Sequence, residues 1–289
     1  IDLSIYTLTN YTLDMTIGKW LKQSETFLDR SNISTARLDS LVLLEDECGK
    51  DRAWVLAHPE FELATPQLKI LDEQIKRRAK HEPLAYIRGK SEFYGREFIV
   101  NNHTLEPRPE TETIIDLLKD LPTNNSWTII DIGTGSGCLA VSAKLELPKY
   151  RVVGTDIDNK CTQTAELNAK KYNASIEFRQ GNLLEPFLED IKDKWAILAN
   201  LPYVPNGHTI NKAAMFEPSH AIFGGEDGLD LYREMFRQIN KLQNKPTYIL
   251  TESLPFQHSE LARIAEKSEY EQQAEEDFIQ VFRYLKALA

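Results

Sequence analysis

Long apolar runs are missing from this chain, which nowhere approaches the ~18 consecutive apolar residues that a membrane-spanning helix needs. The first residues, IDLSIYTLTN, lack the basic flank and the apolar run of a signal peptide. Cysteine is scarce, and Cys48, Cys138 and Cys161 form no C-x-x-C pair. This spacing argues against a disulfide framework or a zinc site and is typical of the reducing cytosol. We therefore expect a cytoplasmic protein with no membrane partner and no metal site.

Positive charge is also in short supply. The 289 residues carry a formal net charge of −10, whereas proteins that bind nucleic acid usually present a basic face, so we expect no stable nucleic-acid binding. Residues 68–90 are the exception, with seven Lys or Arg against three Asp or Glu and the run KRRAK at 76–80. This run is either a solvated helix end or a contact with an acidic partner surface. The segment EYEQQAEED, at 269–277, is acidic.

The composition that remains, 42% hydrophobic and 27% charged, is that of a globular protein with one large domain or two smaller ones. Residues 1–85 are predicted to be helical, because Leu38, Leu41 and Leu44 repeat at helical spacing and Thr65-Pro66 is typical of a helix start. In residues 86–105, aromatic and β-branched residues alternate with polar ones around two glycines. This pattern predicts a β-hairpin that links two domains.

Residues 106–289 show a different pattern, in which predicted strands alternate with predicted helices after the segment EPRPETE (106–112). Strands are predicted at 127–132, 151–156, 175–180, 195–200 and 246–252, with helices near 160–172 and 228–242. Such alternation builds a doubly wound, mostly parallel sheet of the α/β class. A last strand at 278–285 is expected to lie antiparallel at the edge of this sheet.

A glycine-rich turn follows the first of these strands. In IIDIGTGSGCLA (129–140), Gly133, Gly135 and Gly137 allow a sharp turn and let a ligand approach backbone N–H groups. Asp156 ends the next strand, 19 residues after Gly137, and a carboxylate near this spacing can accept both hydroxyl hydrogens of a ribose. The pattern G-x-G-x-G is tighter than the G-x-G-x-x-G of dinucleotide folds. It resembles the first motif of class I S-adenosylmethionine (SAM) methyltransferases, which favours SAM over NAD as the cofactor.

The stretch ILANLPYVP (197–205) leaves a buried strand on a polar side chain. An amide or exocyclic amine nitrogen is a poor nucleophile because its lone pair is delocalised. Asn200 can accept one of its N–H hydrogens and the Leu201 carbonyl the other, which aims the nitrogen at a methyl group and stabilises the developing positive charge. Pro202 restricts Leu201 to an extended conformation, and Tyr203 can stack on a flat acceptor. The alternative is an ordinary strand-end turn, in which Asn and Pro are common.

Asn-Leu-Pro-Tyr resembles the [N/D]-x-P-Y motif of amino-methyltransferases, and longer segments resemble one branch of them, the release factor glutamine N5-methyltransferases of the HemK/PrmC type. EPLAYIRGKSEFYGREFIV (82–100) and PRPETE (107–112) are similar to the linker hairpin and following helix of that branch. FEPSHAIFGGEDGLDLYREM (216–235) is similar to the segment after its catalytic motif. Leu201 stands where that branch usually has a second proline, and AEEDFIQVFRY (274–284) replaces a glycine-containing signature.

The resemblance covers nearly the whole chain and implies a helical substrate-recognition domain at 1–85, a hairpin linker at 86–105 and a class I SAM-dependent methyltransferase domain at 106–289. It implies SAM contacts at Gly133, Thr134, Gly135, Ser136, Gly137, Asp156, Asn182, Leu183 and Asn200. It implies a reaction centre at Asn200, Leu201, Pro202 and Tyr203. The implied acceptor is the side-chain N5 of the glutamine in the Gly-Gly-Gln loop of a class 1 peptide-chain release factor, which is the expected protein partner.

Two other functions stay open. An N6-adenine methyltransferase acting on RNA or DNA would need a basic channel, which a net charge of −10 does not favour. A catalytically silent SAM-fold binding module would not need Asp156 and Asn200, and both are present. Glu217 is interpreted as a brace for the acceptor loop or a helix cap, and His208 and His220 as surface or structural histidines. No general base is identified in the sequence. None is required, because the methylated amide is acidic enough to lose its proton to water.

Overall fold

The computed structural model describes residues 15–122, 127–187, 191 and 194–286. The chain divides into two compact units between Arg88 and Gly89. Within the described ranges, no helix combines the length and the apolar character that crossing a membrane requires.

The first unit is helical over its described residues. Its helices are α1 (Ile17–Arg30), α2 (Ala36–Cys48), α3 (Arg52–Ala57), α4 (Thr65–Ala79) and α5 (Leu84–Arg88). Their apolar faces share one core, in which Trp20, Leu44 and Leu71 are almost completely buried. The helical character predicted for this part of the chain follows from that shared core.

Three local details differ from the sequence predictions. Residues 86–88, which were predicted to begin the β-hairpin, belong to α5. Leu38, which was expected in the buried stripe of α2, is 46% exposed, and Leu43 is buried instead. The reason is that α2 packs against α1, α3 and α4, so its buried surface is not a single stripe. Helix α4 does begin at Thr65, but its N-cap is Ala64, whose backbone N–H donates to Gln67 Oε1 at 3.0 Å.

The basic run at 76–80 is partly used inside this unit. Arg77 Nη2 lies 2.5 Å from Glu82 Oε1, and Arg78 Nε lies 2.6 Å from Asp39 Oδ2. Both arginines therefore hold the end of α4 in place, whereas the two lysines of the run are exposed. The run is mainly a helix end with structural ion pairs, which weakens the interpretation of the whole run as a partner contact.

The second unit begins with a hairpin of β1 (Lys90–Phe93) and β2 (Arg96–Ile99), which pair antiparallel. A larger sheet follows, made of β3 (Thr128–Ile132), β4 (Arg151–Asp156), β5 (Glu177–Gln180), β6 (Trp195–Ala199), β7 (Tyr248–Glu252), β8 (Tyr270–Glu276) and β9 (Ile279–Tyr284). Its helices are α6 (Glu112–Asp120), α7 (Cys138–Glu146), α8 (Asn159–Lys171), α9 (Ser219–Ile222), α10 (Asp230–Asn240) and α11 (His258–Glu266).

The strand order in the sheet is β5-β4-β3-β6-β7-β9-β8, and the first five strands are parallel. Alternate residues of the central strands face opposite cores: Ile129 packs with α6 and α7, whereas Ile130 packs with α10 and α11. Helices therefore cover both faces, which explains why strands such as β3 and β6 are buried at every position. The predicted doubly wound, mostly parallel sheet is confirmed.

The last strands correct one prediction. Strand β9 is antiparallel to β7 as expected, but it lies inside the sheet, and β8 occupies the edge. The acidic segment at 269–277, which was not predicted to be a strand, contains β8. Charged side chains on an edge strand discourage pairing with a further chain, which gives the acidity of this segment a structural explanation.

The hairpin of β1 and β2 is fastened to the sheet domain by a buried amide. Asn168 of α8 is fully buried, and its Nδ2 lies 2.9 Å from the Ile99 carbonyl and 2.8 Å from the Ser136 carbonyl. Its Oδ1 accepts the Ile99 N–H at 2.8 Å. One side chain therefore joins β2, α8 and the glycine-rich turn.

Candidate active site

A cavity of about 900 Å³ opens at the carboxyl ends of β3, β4, β5 and β6. The strand order reverses direction between β3 and β6, and open α/β sheets bind their ligands at such a reversal. The wall divides into two parts. We call the glycine-rich turn, Asp156 and the pair Asn182-Leu183 the cofactor end, and the segment Asn200–Tyr203 with its contacts the acceptor end.

Two of the three glycines at the cofactor end are part of the cavity wall, and the third allows close packing against a helix. Gly133 and Gly135 line the cavity. Gly137 has a φ of 79°, and a Cβ there would lie 2.8 Å from the Ala165 Cβ. Gly137 is therefore needed for the close approach of the turn to α8, while Thr134 and Ser136 beside it line the cavity.

Asp156 lies at the end of β4 and is 9% exposed. Its Oδ2 accepts the Gly135 N–H at 2.9 Å, and its Oδ1 accepts the Asp158 N–H at 2.9 Å. Burial raises the pKa of this carboxyl group, and the two backbone donors oppose that effect. The acid and the glycine-rich turn thus form one hydrogen-bonded unit, with the carboxylate orientation set by backbone groups.

Asp131, two residues before Gly133, is a buried acid at this end that was not predicted as a contact. It lines the cavity and is 1% exposed. Burial raises its pKa to about 7, although its Oδ2 accepts the Thr134 hydroxyl at 2.6 Å and the Ala140 N–H at 3.1 Å. Asp131 therefore holds the glycine-rich turn through the Thr134 hydroxyl and the start of α7 through the Ala140 N–H. With a pKa of about 7, its carboxyl group titrates near neutral pH.

The third strand of the cofactor end contributes Asn182 and Leu183, which follow β5 and line the cavity. Leu183 has a φ of 54°, in the left-handed region. Its carbonyl accepts the Thr155 hydroxyl at 2.7 Å, and Gln238 Nε2 donates to the Asn182 carbonyl at 3.4 Å. These contacts from β4 and α10 hold the predicted pair against the cavity.

At the acceptor end, Asn200, Leu201 and Pro202 line the cavity. Asn200 Nδ2 donates to Thr111 Oγ1 at 2.9 Å, and this hydroxyl donates in turn to Glu252 Oε2 at 2.6 Å. Tyr203 is not part of the cavity wall, and its hydroxyl donates to the other Glu252 oxygen at 2.9 Å. The side chains at both ends of the tetrapeptide are therefore tied, directly or through Thr111, to one carboxylate.

The backbone of the same segment is held from the other side. The Leu201 N–H donates to the Tyr232 hydroxyl at 3.4 Å, and that hydroxyl also lies against the backbone carbonyl of Glu252. Gln257 Nε2 donates to the Tyr203 carbonyl at 2.8 Å. A Cβ at Gly228 would lie 2.0 Å from this carbonyl, so the glycine-rich segment after α9 packs directly on the tetrapeptide.

An ion pair with one buried partner lies beside the cavity, which Arg108 lines. Arg108 Nη2 lies 2.5 Å from Glu217 Oε1, and the Glu217 side chain is 1% exposed. Burial lowers the pKa of Arg108, but the neighbouring Glu217 side chain more than offsets this effect, and the net shift of the Arg108 pKa is upward. Glu217 therefore braces the segment around residue 108. His220 lines the cavity and His208 is exposed outside it.

Sequence reasoning missed Thr111, Tyr232 and Glu252. One signal was available for Glu252, since it is a charged residue at the carboxyl end of a buried strand, where open α/β sheets place functional groups. Nothing in the sequence connects Thr111 to Asn200, because 89 positions separate them. Among the residues that the structure describes, no cluster of His, Cys, Asp or Glu could hold a metal ion.

Comparison with known proteins agrees with this geometry. The PrmC N-terminal domain family model matches residues 19–89, and the methyltransferase small domain model matches residues 113–220. A release factor glutamine methyltransferase of Koribacter versatilis is 36% identical over 229 residues, covering 78% of this chain and 81% of that protein. One of Bacillus subtilis is 31% identical over 245 residues, covering 82% and 84%.

A solved structure shows the same fold. The hMettl16 catalytic domain, in complex with MAT2A 3'UTR hairpin 6, is 16% identical, has a TM-score of 0.52, and covers 76% of this chain and 82% of that chain. SAM is the cofactor. The cofactor end suits SAM, because the Asp156 carboxylate is a hydrogen-bond acceptor that lines a cavity large enough for a nucleoside. The extensive similarity to curated relatives shows that this chain belongs to the release factor glutamine methyltransferase family.

Proposed function

We propose that this protein transfers the methyl group of SAM to the side-chain N5 of the glutamine in the Gly-Gly-Gln loop of a class 1 peptide-chain release factor. The observation that supports this most directly is the orientation of Asn200. Its Nδ2 is bound to Thr111, and Asn200 lines the cavity. Its Oδ1 is therefore the group available to accept a hydrogen from a substrate amide.

The cofactor end would hold the nucleoside. We propose that Asp156 accepts the ribose hydroxyls, that the turn from Gly133 to Gly137 approaches the rest of the cofactor, and that Asn182 and Leu183 lie beside its base. When bound, SAM supplies a methyl group made electrophilic by a positively charged sulfur. The protein supplies a shaped, partly apolar cavity in which that group faces the acceptor end.

The acceptor end would orient the substrate nitrogen. Asn200 Oδ1 and the Leu201 carbonyl each accept one N–H hydrogen of the glutamine amide. Two fixed acceptors orient the nitrogen lone pair and stabilise the positive charge that develops on it. The proton then leaves to water. Tyr203 acts here as a support that is hydrogen-bonded to Glu252, rather than as a free ring inside the cavity.

Labelled SAM tests this function. The full chain should label an intact release factor at the Gly-Gly-Gln glutamine, and mass spectrometry of the peptide should place the methyl group on the side chain. A release factor with that glutamine changed to alanine is the matched control and should stay unlabelled. Ribosomal RNA should also stay unlabelled, since we propose no stable nucleic-acid binding, and labelled RNA with unlabelled release factor would overturn the proposal. A release factor substrate would also place the reaction in the cytoplasm.

We further propose that the first unit recognises the body of the release factor. A glutamine side chain offers few contacts, so discrimination among glutamines needs binding energy from surfaces outside the pocket. Residues 19–89 match the PrmC N-terminal domain, and this unit has a core of its own. A chain that starts at Gly89 should bind SAM normally but methylate intact release factor much more slowly. Equal rates for the two chains would contradict this role.

A further inference from the structure

The amide of Asn200 can be placed in two ways that differ by a half-turn, because its oxygen and nitrogen have nearly the same size. Only one of them suits the proposed function, on which this inference rests. With Oδ1 toward the substrate, the side chain accepts an N–H hydrogen. With Nδ2 there, two donors would face each other. A group that selects the first orientation therefore contributes to the reaction without touching the substrate.

We propose that Glu252 is a positioning residue that fixes the orientation of Asn200 through the hydroxyl of Thr111. A hydroxyl has one hydrogen, and it can accept from Asn200 Nδ2 only if that hydrogen points elsewhere. A carboxylate is an acceptor only. Glu252 Oε2, at 2.6 Å, takes the Thr111 hydrogen, so the Thr111 oxygen is left to accept the Asn200 N–H at 2.9 Å. Burial raises the pKa of Glu252, and the Thr111 and Tyr203 hydroxyls oppose that effect by donating to its two oxygens. The direction of this chain of hydrogen bonds therefore follows from the acceptor oxygens at its buried end.

Burial makes this arrangement rigid. Thr111 is 2% exposed and Glu252 is 1% exposed, so water does not compete for their hydrogen bonds. Glu252 is the last residue of β7 and pairs through its backbone with Ile279 of β9. Its second oxygen accepts the Tyr203 hydroxyl at 2.9 Å. The carboxylate therefore has a hydroxyl donor on each oxygen.

The local structure around Thr111 is compatible with these two contacts. Thr111 precedes α6 with helical backbone angles, φ −65° and ψ −22°, rather than the extended conformation in which an N-cap hydroxyl accepts a backbone N–H of the first turn. Its side chain makes no capping bond, and its hydroxyl binds Asn200 and Glu252.

Substitutions at Thr111 and Glu252 test the inference in the full-length protein. Thr111→Val keeps the shape of the side chain and removes its hydroxyl. Glu252→Gln replaces one of the two acceptor oxygens with an amide N–H group, which would face the hydroxyl of Thr111 or Tyr203. Each should lower kcat on release factor by about 100-fold, since small misplacements near a reacting atom have effects of this size, while the Kd for SAM changes little. Thr111→Ser should recover most of the lost rate. Thr251→Val, which removes a buried hydroxyl from the neighbouring position of β7, is the matched control and should keep the wild-type kcat.

A double-mutant cycle separates this role from general destabilisation. If Glu252 acts through Thr111, the protein that carries both Thr111→Val and Glu252→Gln should be about as slow as the slower single variant. Losses that multiply would show independent structural effects and overturn the inference. A folded, SAM-binding Thr111→Val with the wild-type kcat would overturn it as well.

A readout without release factor distinguishes this inference from the proposed function. The hydrogens on Asn200 Nδ2, observed by NMR in the protein with SAM, should exchange with water about 10-fold more slowly in the wild type than in Thr111→Val or Glu252→Gln, which corresponds to the loss of one good hydrogen bond. Equal exchange rates in all three proteins overturn the inference. A wild type with slow exchange that does not label release factor would overturn the proposed function alone.

Discussion

At the cofactor end of the cavity, the acid is held by backbone groups that lie close to it in the sequence, whereas the acceptor end is held by side chains from distant segments. The Gly135 N–H that binds Asp156 is 21 positions away, and the Asp158 N–H is two positions away. At the acceptor end, the Asn200–Thr111 bond spans 89 positions and the Thr111–Glu252 bond spans 141. The proposed contacts to the ribose thus need only one strand–turn–helix unit and the strand after it. Orientation of an acceptor amide requires that several elements of the sheet domain be in place.

This difference between the two ends predicts that substitutions at one end lower kcat and substitutions at the other lower SAM affinity. The largest effect is expected at the acceptor end. Asn200→Ala removes a hydrogen-bond acceptor from the proposed reaction centre, so we expect kcat to fall by about 1,000-fold, in the range found for the loss of one transition-state hydrogen bond. SAM affinity, measured by calorimetry, should remain within a small factor of the wild-type value. A large loss of SAM affinity with little change in kcat would reverse the assignment of the two ends.

Asp156→Ala should produce the opposite defect. The variant lacks the two hydrogen bonds that we propose between the ribose and this charged acceptor, each worth ~1.5–3 kcal/mol, so SAM should bind at least about 100-fold more weakly. Asp156→Asn keeps the shape of the side chain and one acceptor oxygen. It should therefore lose less SAM affinity than Asp156→Ala, which makes it the more specific test of the ribose contacts. Unchanged SAM affinity in folded Asp156→Ala would rule out the ribose role.

A pair of glycine variants tests whether the acceptor end depends on long-range packing. Gly228 and Gly95 both have positive φ, 82° and 67°. Alanine should cost about 1–2 kcal/mol of stability at either site for the backbone conformation. Only at Gly228 would the new Cβ meet another segment, the Tyr203 carbonyl. Gly228→Ala should therefore also lower kcat, and equal activity of the two variants, measured beside their unfolding curves, would argue against this dependence.

The buried acid at the cofactor end predicts a pH dependence of stability. Burial raises the pKa of Asp131 to about 7, above its unfolded value. At pH values between these two pKa values, the native state therefore binds a proton that the unfolded state has lost. Its contribution to stability is therefore complete below the unfolded pKa and is lost as the pH rises through about 7. Between the unfolded pKa and about pH 7, the free energy of unfolding of the wild type, measured by urea titration, should fall by up to about 1.4 kcal/mol per pH unit relative to that of Asp131→Asn. Parallel pH profiles of the two proteins would show that Asp131 is ionised throughout.

The smallest effect on kcat is expected at Leu201, where the backbone is proposed to act. Leu201→Pro keeps the carbonyl but removes the N–H that donates to Tyr232 at 3.4 Å. Proline also truncates a buried core side chain that is 2% exposed, so we expect a loss of about 2–4 kcal/mol of stability, but a kcat of the folded protein within about threefold of the wild type. A folded Leu201→Pro protein without activity would contradict the role of the carbonyl.

Much of the fold could be predicted because its signals are local. The strands of the parallel sheet are short apolar runs between turn residues, and β4 lies at the predicted residues 151–156. The signals failed where local pattern and tertiary environment disagree. Strand β8 has a polar, acidic sequence and forms only because β9 pairs with it. Leu38 lies at helical spacing from buried leucines, yet α2 exposes it because its neighbours contact other sides of the helix.

By itself, the sequence determined the alternation of strands and helices, the glycine-rich turn with its following acid, and the polar residue at the end of β6. Each of these depends on backbone conformation and on spacing over a few tens of residues at most. Only the tertiary structure decided that Thr111, Glu252 and Tyr203 share one buried set of hydrogen bonds with Asn200. The physical reason is that a buried carboxylate needs donors around it in space, and the folded sheet brings them there from segments far apart in the chain.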